Sequence, residues 1–211
     1  MITRNSVSKP TTYSKKIKYR KRIVSGARRL FFSHGLRAVT MDELATELRV
    51  SKKTLYANFP NKVALVEAAL FEKFQEIEVE LEAITPPSEA DLTASLQLLL
   101  TCFQRHMAEI HPPFLRDIQR KEPGMFEVVE TRRCALIQRY LGRFFFEGRR
   151  VGVIRNDIPT EIIMEILLRT TDIITNPPKK TELRKTPQSL LLSVIRVLLE
   201  GALTDQGRSR L

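Results

Sequence analysis

Residues 50–62 read Val50-Ser51-Lys52-Lys53-Thr54-Leu55-Tyr56-Ala57-Asn58-Phe59-Pro60-Asn61-Lys62. Ser51 is a helix N-cap residue whose hydroxyl accepts from a free backbone N–H of the first turn. The helix it opens is short: it carries Leu55 inward and ends near Phe59-Pro60, because the residue before a proline is pushed out of the α region. Asn61 caps the helix that follows. Upstream, Thr40-Met41-Asp42-Glu43 has the spacing of a capping box. Met41, Leu44, Ala45 and Leu48 then fall at i, i+3, i+4 and i+7, the period of a short amphipathic helix. Two short helices joined through Arg49-Val50 have helix-turn-helix spacing.

The cations of this stretch sharpen the reading. Lys52 and Lys53 stand in the first turn of one helix and Lys62 in the first turn of the next. A lysine at the positive end of a helix is unfavourable by about 0.3–1 kcal/mol. Three of them at adjacent helix starts are poor for stability and suited to phosphate, which also bonds the free N–H groups there. Thr40, Ser51, Thr54 and Tyr56 add neutral hydroxyls. Net charge agrees: of the formal +11, residues 1–62 hold fifteen Lys and Arg against Asp42, Glu43 and Glu47, whereas the remainder holds 20 basic and 21 acidic residues. A polyanion partner for the N-terminal third follows, nucleic acid ahead of a membrane surface.

Working outward, residues 1–17 read as a flexible basic arm. The run Lys15-Lys16-Ile17-Lys18-Tyr19-Arg20-Lys21-Arg22 either follows DNA or solubilises the chain. A first helix begins near Lys18, buries Ile23, Ala27, Leu30 and Phe31, and stops at Gly35. The fourth, with Val63, Val66, Leu70, Phe74, Ile77 and Leu81 on one stripe, runs about 30 Å at 1.5 Å per residue to the Thr85-Pro86-Pro87-Ser88 break. Further helices are expected from Leu92 to Ile110, to about Lys121, from Met125 to Glu147, over 160–175 and over 187–203. No strand pattern or repeat interrupts them. The fold class is all-α, about nine helices: a helix-turn-helix domain over residues 18–64, then a larger helical bundle over 65–211.

These motifs resemble the DNA-binding domain of the tetracycline-repressor (TetR) family of bacterial transcription regulators. The resemblance covers residues 20–70 and is carried by Ala27-Arg28-Arg29-Leu30-Phe31 before Gly35, by Thr40-Met41-Asp42-Glu43-Leu44-Ala45, and above all by residues 50–62 followed by Leu65. It implies DNA contacts from Thr40, Ser51, Lys52, Lys53, Thr54, Tyr56 and Lys62. Thr40, Thr54, Tyr56 and Lys62 are assigned to phosphate, which fixes register; Lys52 and Lys53 are assigned to base edges in the major groove. Two positions depart from the family pattern. Leu48 and Arg49 stand where a small residue and a glycine are usual, so either the turn differs or Arg49 itself touches the DNA backbone. Lys53 stands where a small residue is common, and alters what is read.

The resemblance further implies a C-terminal domain that dimerises and holds an effector. The helices at about 160–175 and 187–203 suit a homodimer seam: Ile162, Ile163, Ile166, Leu167, Ile173 and Ile174 crowd one, and Leu190, Leu191, Val194, Leu198 and Ala202 stripe the other, with Ser193 and Gly201 permitting close approach. Phe103, His106, Met107, Phe114, Phe126, Tyr140 and Phe144 are the candidate lining of a pocket for a small apolar or aromatic ligand; each is also an ordinary core residue. The expected function is a homodimeric, sequence-specific regulator of a double-stranded DNA operator, a repressor released by such a ligand. The alternative is a DNA-binding adaptor governed by a protein partner.

Other classes find little support. His34, His106 and His111 are the only histidines, and no glycine-rich phosphate loop or nucleophile–base signature accompanies them, so no enzyme and no cofactor is expected. Cys102 and His106 share a helix face with His111 beyond, but two ligands fall short of the four of a structural zinc site, and no metal is assigned. Two cysteines build no disulfide scaffold. The polar N-terminus and the lack of an 18-residue apolar run predict a cytoplasmic protein without a membrane segment.

Overall fold

The computed structural model describes residues 12–84, 92–175 and 187–208. Expectations for residues 1–11, for the breaks at 85–91 and 176–186, and for the side chains of Ile173, Ile174 and Leu191 lie outside the described residues. The helices are α1 (Thr12–His34), α2 (Met41–Glu47), α3 (Lys52–Asn58), α4 (Lys62–Ala83), α5 (Leu92–Ala108), α6 (Pro112–Lys121), α7 (Pro123–Arg150), α8 (Thr160–Thr175), α9 (Pro187–Ala202) and a single turn, α10 (Asp205–Arg208). Helix α1 begins six residues before the expected Lys18, since nothing between Thr12 and Gly35 breaks a helix and the lysines and arginines there favour one.

The described chain forms two compact units. One holds everything to Lys73 together with His111–Met125; the other holds Phe74–Ile110 and Phe126–Leu211. In the first, Ile23, Ala27 and Phe31 of α1, Leu44 of α2, Leu55 of α3 and Leu65, Val66 and Ala69 of α4 are buried together with Phe59. Helix α6, expected in the larger bundle, packs on α1 instead. The Phe32 and Phe114 rings meet at 4.8 Å, the His111 amide donates to the Phe32 carbonyl at 3.0 Å, and Asp117 Oδ2 accepts from the Arg37 amide at 2.8 Å. Gly35 ends α1 at φ 92, and a Cβ on it would stand 3.0 Å from Asp117 Oδ2.

The second unit is a bundle around one core. Leu81 of α4, Leu96, Leu99 and Cys102 of α5, Leu136, Ile137, Tyr140, Leu141, Phe144 and Phe145 of α7, Ile163, Met164, Leu167 and Leu168 of α8, Ile195, Leu199 and Ala202 of α9, and Leu203 just beyond it are buried there. The turn after α7 is pinned to the end of α9: the Arg155 amide donates to Ala202 and the Thr204 amide to Val153, each at 2.9 Å. Among the described helices, none is long and apolar enough to cross a membrane.

Candidate nucleic-acid interface

Helix α3 is a short rod fixed by one side. Leu55 is wholly buried, while Lys52, Lys53 and Tyr56 are exposed. Ser51 is its N-cap: the hydroxyl accepts from the Thr54 amide at 3.0 Å and lies 2.7 Å from the Thr54 hydroxyl. Asn58 Nδ2 donates back to the Thr54 carbonyl at 2.8 Å. Arg20 on α1 stacks its guanidinium 4.6 Å from the Phe59 ring, a cation–π contact at the far end of the helix.

The helix before it is set by the predicted capping box. The Thr40 amide donates to Glu43 Oε2 at 2.7 Å, and the Glu43 amide donates to the Thr40 hydroxyl at 3.2 Å. The Thr40 amide and then the Thr40 hydroxyl hold the Glu43 carboxyl below the ordinary range, with a lesser contribution from Lys62, against the opposing effect of burial.

The turn between α2 and α3 keeps a glycine-type geometry without glycine. Arg49 adopts φ 52. Its amide donates to Thr46 at 3.1 Å and that of Val50 to Ala45 at 2.9 Å, the paired bonds of a Schellman cap. Leu48 fits because α1 offers a glycine opposite: a Cβ on Gly26 would lie 2.2 Å from Leu48 Cδ2. Arg22 on α1 also donates to the Leu48 carbonyl at 3.3 Å. The departure from the family pattern is thus accommodated by α1, a pairing that no local motif announces.

The expected DNA-contacting residues lie on α3, on the caps of α2 and α3 and at the start of α4, and four of them also have a structural role. Lys52 Nζ lies 2.7 Å from Asp42 Oδ2, so α2 already supplies it with a counter-ion. Lys62 Nζ donates to the carbonyls of Leu36 at 2.8 Å and Val39 at 2.9 Å; two of its three protons serve the fold. Thr40 and Ser51 hydroxyls likewise act as caps. Lys53 and Tyr56 are exposed and, among the described residues, their side chains make no hydrogen bond or ion pair, and Lys18, Lys21 and Arg22 extend the exposed basic surface along α1. The basic run expected as an arm is helical.

The candidate pocket residues divide. Phe103, Tyr140 and Phe144 share the core of the second unit, whereas Phe114 is buried in the first, against Phe32. Met107 and Phe126 are half-buried. Tyr140 donates to Glu82 Oε1 at 3.0 Å; burial and that carboxylate push its phenol above the ordinary range. His106 is buried, with Nε2 2.9 Å from Glu80 Oε2. Burial works to raise the Glu80 carboxyl, but hydrogen bonds from His106 and Cys102 and the charges of His106 and Arg105 bring it below the ordinary range. Glu80 was not foreseen, because a partner on another helix leaves no mark in local spacing. Along the expected seam, Ile163 and Leu167 of α8 and Ala202 of α9 are buried and Val194 and Leu198 pack against the core, so most of the expected α9 stripe serves the bundle itself; Ile162 and Ile166 are exposed, as is Val197, which lay outside that stripe.

Comparison with known proteins agrees with this geometry. The family described as bacterial regulatory proteins, tetR family, matches residues 23–69, which include α2, α3 and every expected DNA-contacting residue. The chain is 35% identical over 109 residues to the uncharacterized HTH-type transcriptional regulator YvkB of Bacillus subtilis, covering 52% of this chain and 54% of that relative. It is 27% identical over 174 residues to an uncharacterized HTH-type transcriptional regulator of Mycobacterium tuberculosis, covering 79% of this chain and 81% of the relative. The chain therefore spans about half the length of the first and about four fifths of the second. Among solved structures, the SmeT–triclosan complex overlays with a TM-score of 0.60 at 14% identity, over 89% of this chain and 93% of the other. SmeT is the repressor of the Stenotrophomonas maltophilia multidrug efflux pump SmeDEF.

Proposed function

We propose that the chain, which matches the tetR family of bacterial regulatory proteins over residues 23–69, is a regulator of that family that binds a DNA operator as a homodimer and represses until a small apolar or aromatic ligand releases it. The observation that carries the DNA-reading part is α3 itself: Leu55 fully buried behind an exposed Lys52, Lys53 and Tyr56. A rigidly seated helix with cations on its outer face is what a major groove admits. In this reading Lys53 reaches base edges; Lys52 joins it on exchanging Asp42 for guanine; Tyr56, Thr54, Thr40 and Lys62 lie along phosphate.

A dimer supplies what one short helix lacks. Two-fold symmetry sets two copies of α3 on half-sites about 34–36 Å apart or a multiple of it. The outer side of α8 and α9 suits the seam. Ile162, Ile166 and Val197 are exposed there, and a Cβ on Gly201 would meet nothing within 4 Å. The ligand reading draws on the aromatic core around Phe103, Tyr140 and Phe144 and on the triclosan bound by SmeT. An effector acts here by preferring a dimer whose helices miss the two half-sites, and it lowers DNA affinity by that preference and no more. The burial of Tyr140 and Phe144 within the core favours the second reading, an adaptor answering to a protein partner.

Selection of bound sequences from a randomised duplex pool tests the proposal. Enrichment of an inverted repeat with half-sites about ten base pairs apart, or a multiple, is expected. Recovery of a single unrepeated half-site contradicts the dimer, and recovery of no motif contradicts sequence reading.

A further inference from the structure

Two helices of the second unit bring a thiol, an imidazole and a carboxylate together. Cys102 and His106 stand one turn apart on α5 and are 2% and 3% exposed. Glu80 reaches them from α4, with Oε2 2.9 Å from His106 Nε2. One oxygen of Glu80, the sulfur of Cys102 and a ring nitrogen of His106 all lie within 4.8 Å of one another. A second group, Glu76, His106 and Glu109, meets the same limit around the same imidazole. We propose that Glu80, Cys102 and His106 form a binding site for one zinc-class divalent transition-metal ion, with a coordination position left for water or a further ligand.

The donor set selects the class of ion. Thiolate and imidazole suit borderline-soft metals such as zinc and cobalt, and discriminate against magnesium and calcium, which take oxygen. Bonds of about 2.0–2.3 Å place the ligand atoms of a tetrahedral ion roughly 3.3–3.8 Å apart. The present spacing closes to that by small side-chain rotations, without moving a helix. Charge closes as well: a Cys102 thiolate and the Glu80 carboxylate offset the two positive charges of the ion, and His106 binds neutral. On loading, the Cys102 sulfur gives up its proton to solvent and forms a bond to the metal, with no change of oxidation state. Three protein ligands with an open position match exchangeable zinc sites; closed structural sites have four. Glu76 and Glu109 each bring a carboxylate oxygen within 4.8 Å of the same imidazole, near enough to turn and orient a metal-bound histidine.

Arg105 is the competitor built into the site. Its guanidinium also bonds Glu80 Oε2, but its side chain is 58% exposed and is able to swing to solvent when a metal takes the carboxylate. The inference needs neither operator binding nor an apolar effector. Its test is made on metal binding alone.

The experiment titrates the full, untagged, reduced chain with cobalt(II), then with zinc(II). One equivalent of cobalt is expected to produce a near-ultraviolet thiolate-to-cobalt absorption with the visible bands of four-coordinate cobalt, both erased by one equivalent of zinc. Cys102→Ser removes the thiolate absorption, Cys134→Ser leaves it, and Arg105→Gln tightens binding. His106→Gln and Glu80→Gln each weaken it by roughly 10-fold or more, with circular dichroism confirming that the helices persist. A wild-type chain with no thiolate absorption at saturating cobalt overturns the proposal without recourse to any variant. So does an absorption that survives Cys102→Ser or disappears with Cys134→Ser.

Discussion

Arg49 is held at φ 52 by the bonds that close α2, in a region that costs an ordinary L-residue about 1–2 kcal/mol. Glycine occupies it freely. Arg49→Gly is therefore expected to raise unfolding free energy by about 1 kcal/mol, read by urea denaturation, while Arg49→Ala gives no gain because its Cβ keeps the strain. An unchanged midpoint for the glycine variant contradicts this turn geometry. Glu43 makes the second residue-scale case. Its folded carboxyl sits below the ordinary range, so its contribution is complete above the unfolded value of about 4.3 and is lost as pH falls through the lower folded value. The stability advantage of wild type over Glu43→Gln at neutral pH is expected to shrink on acidification across that window. An advantage independent of pH contradicts the capping role of the carboxylate.

At the scale of elements, Gly26 and Leu48 set how closely α1 and α2 approach. Gly26→Ala places a methyl 2.2 Å from Leu48 Cδ2, an overpacking expected to cost about 1–3 kcal/mol. Leu48→Ala opens room for it, so a double-mutant cycle is expected to show coupling of about 0.5–3 kcal/mol; simple additivity contradicts the contact. Elements like α2 and α3 were legible in the sequence because caps and period are local: Thr40 with Glu43, and Ser51 with Thr54, write their own boundaries. The Gly26–Leu48 fit, the bonds of Lys62 to Leu36 and Val39, and the meeting of Glu80 with His106 were not. Each joins residues about 22 to 26 apart, where no short motif reports proximity. Helix α6 was legible as a helix, and its company was not. Its Phe114 and Ile118 suit any apolar face, and only the fold decides that the face is α1.

At the scale of the whole molecule, charge and architecture divide the labour. The whole of the positive excess lies before residue 63, in the unit that presents α3, whereas the bundle carries the aromatic core and the exposed side of α8 and α9. Charge alone attracts any duplex and fades with salt; direct readout distinguishes one duplex from another. The central claim is that α3 reads sequence through its outward lysines. Fluorescence anisotropy tests it most directly, comparing duplex from the gene's own upstream region with a scrambled duplex at two salt concentrations, for wild type and for the Lys52→Ala/Lys53→Ala double variant. Preference for the upstream duplex that persists at the higher salt and is lost in the folded double variant is the predicted result. A preference that the double variant retains in full contradicts readout by α3, and the absence of binding to either duplex at low salt contradicts the account as a whole.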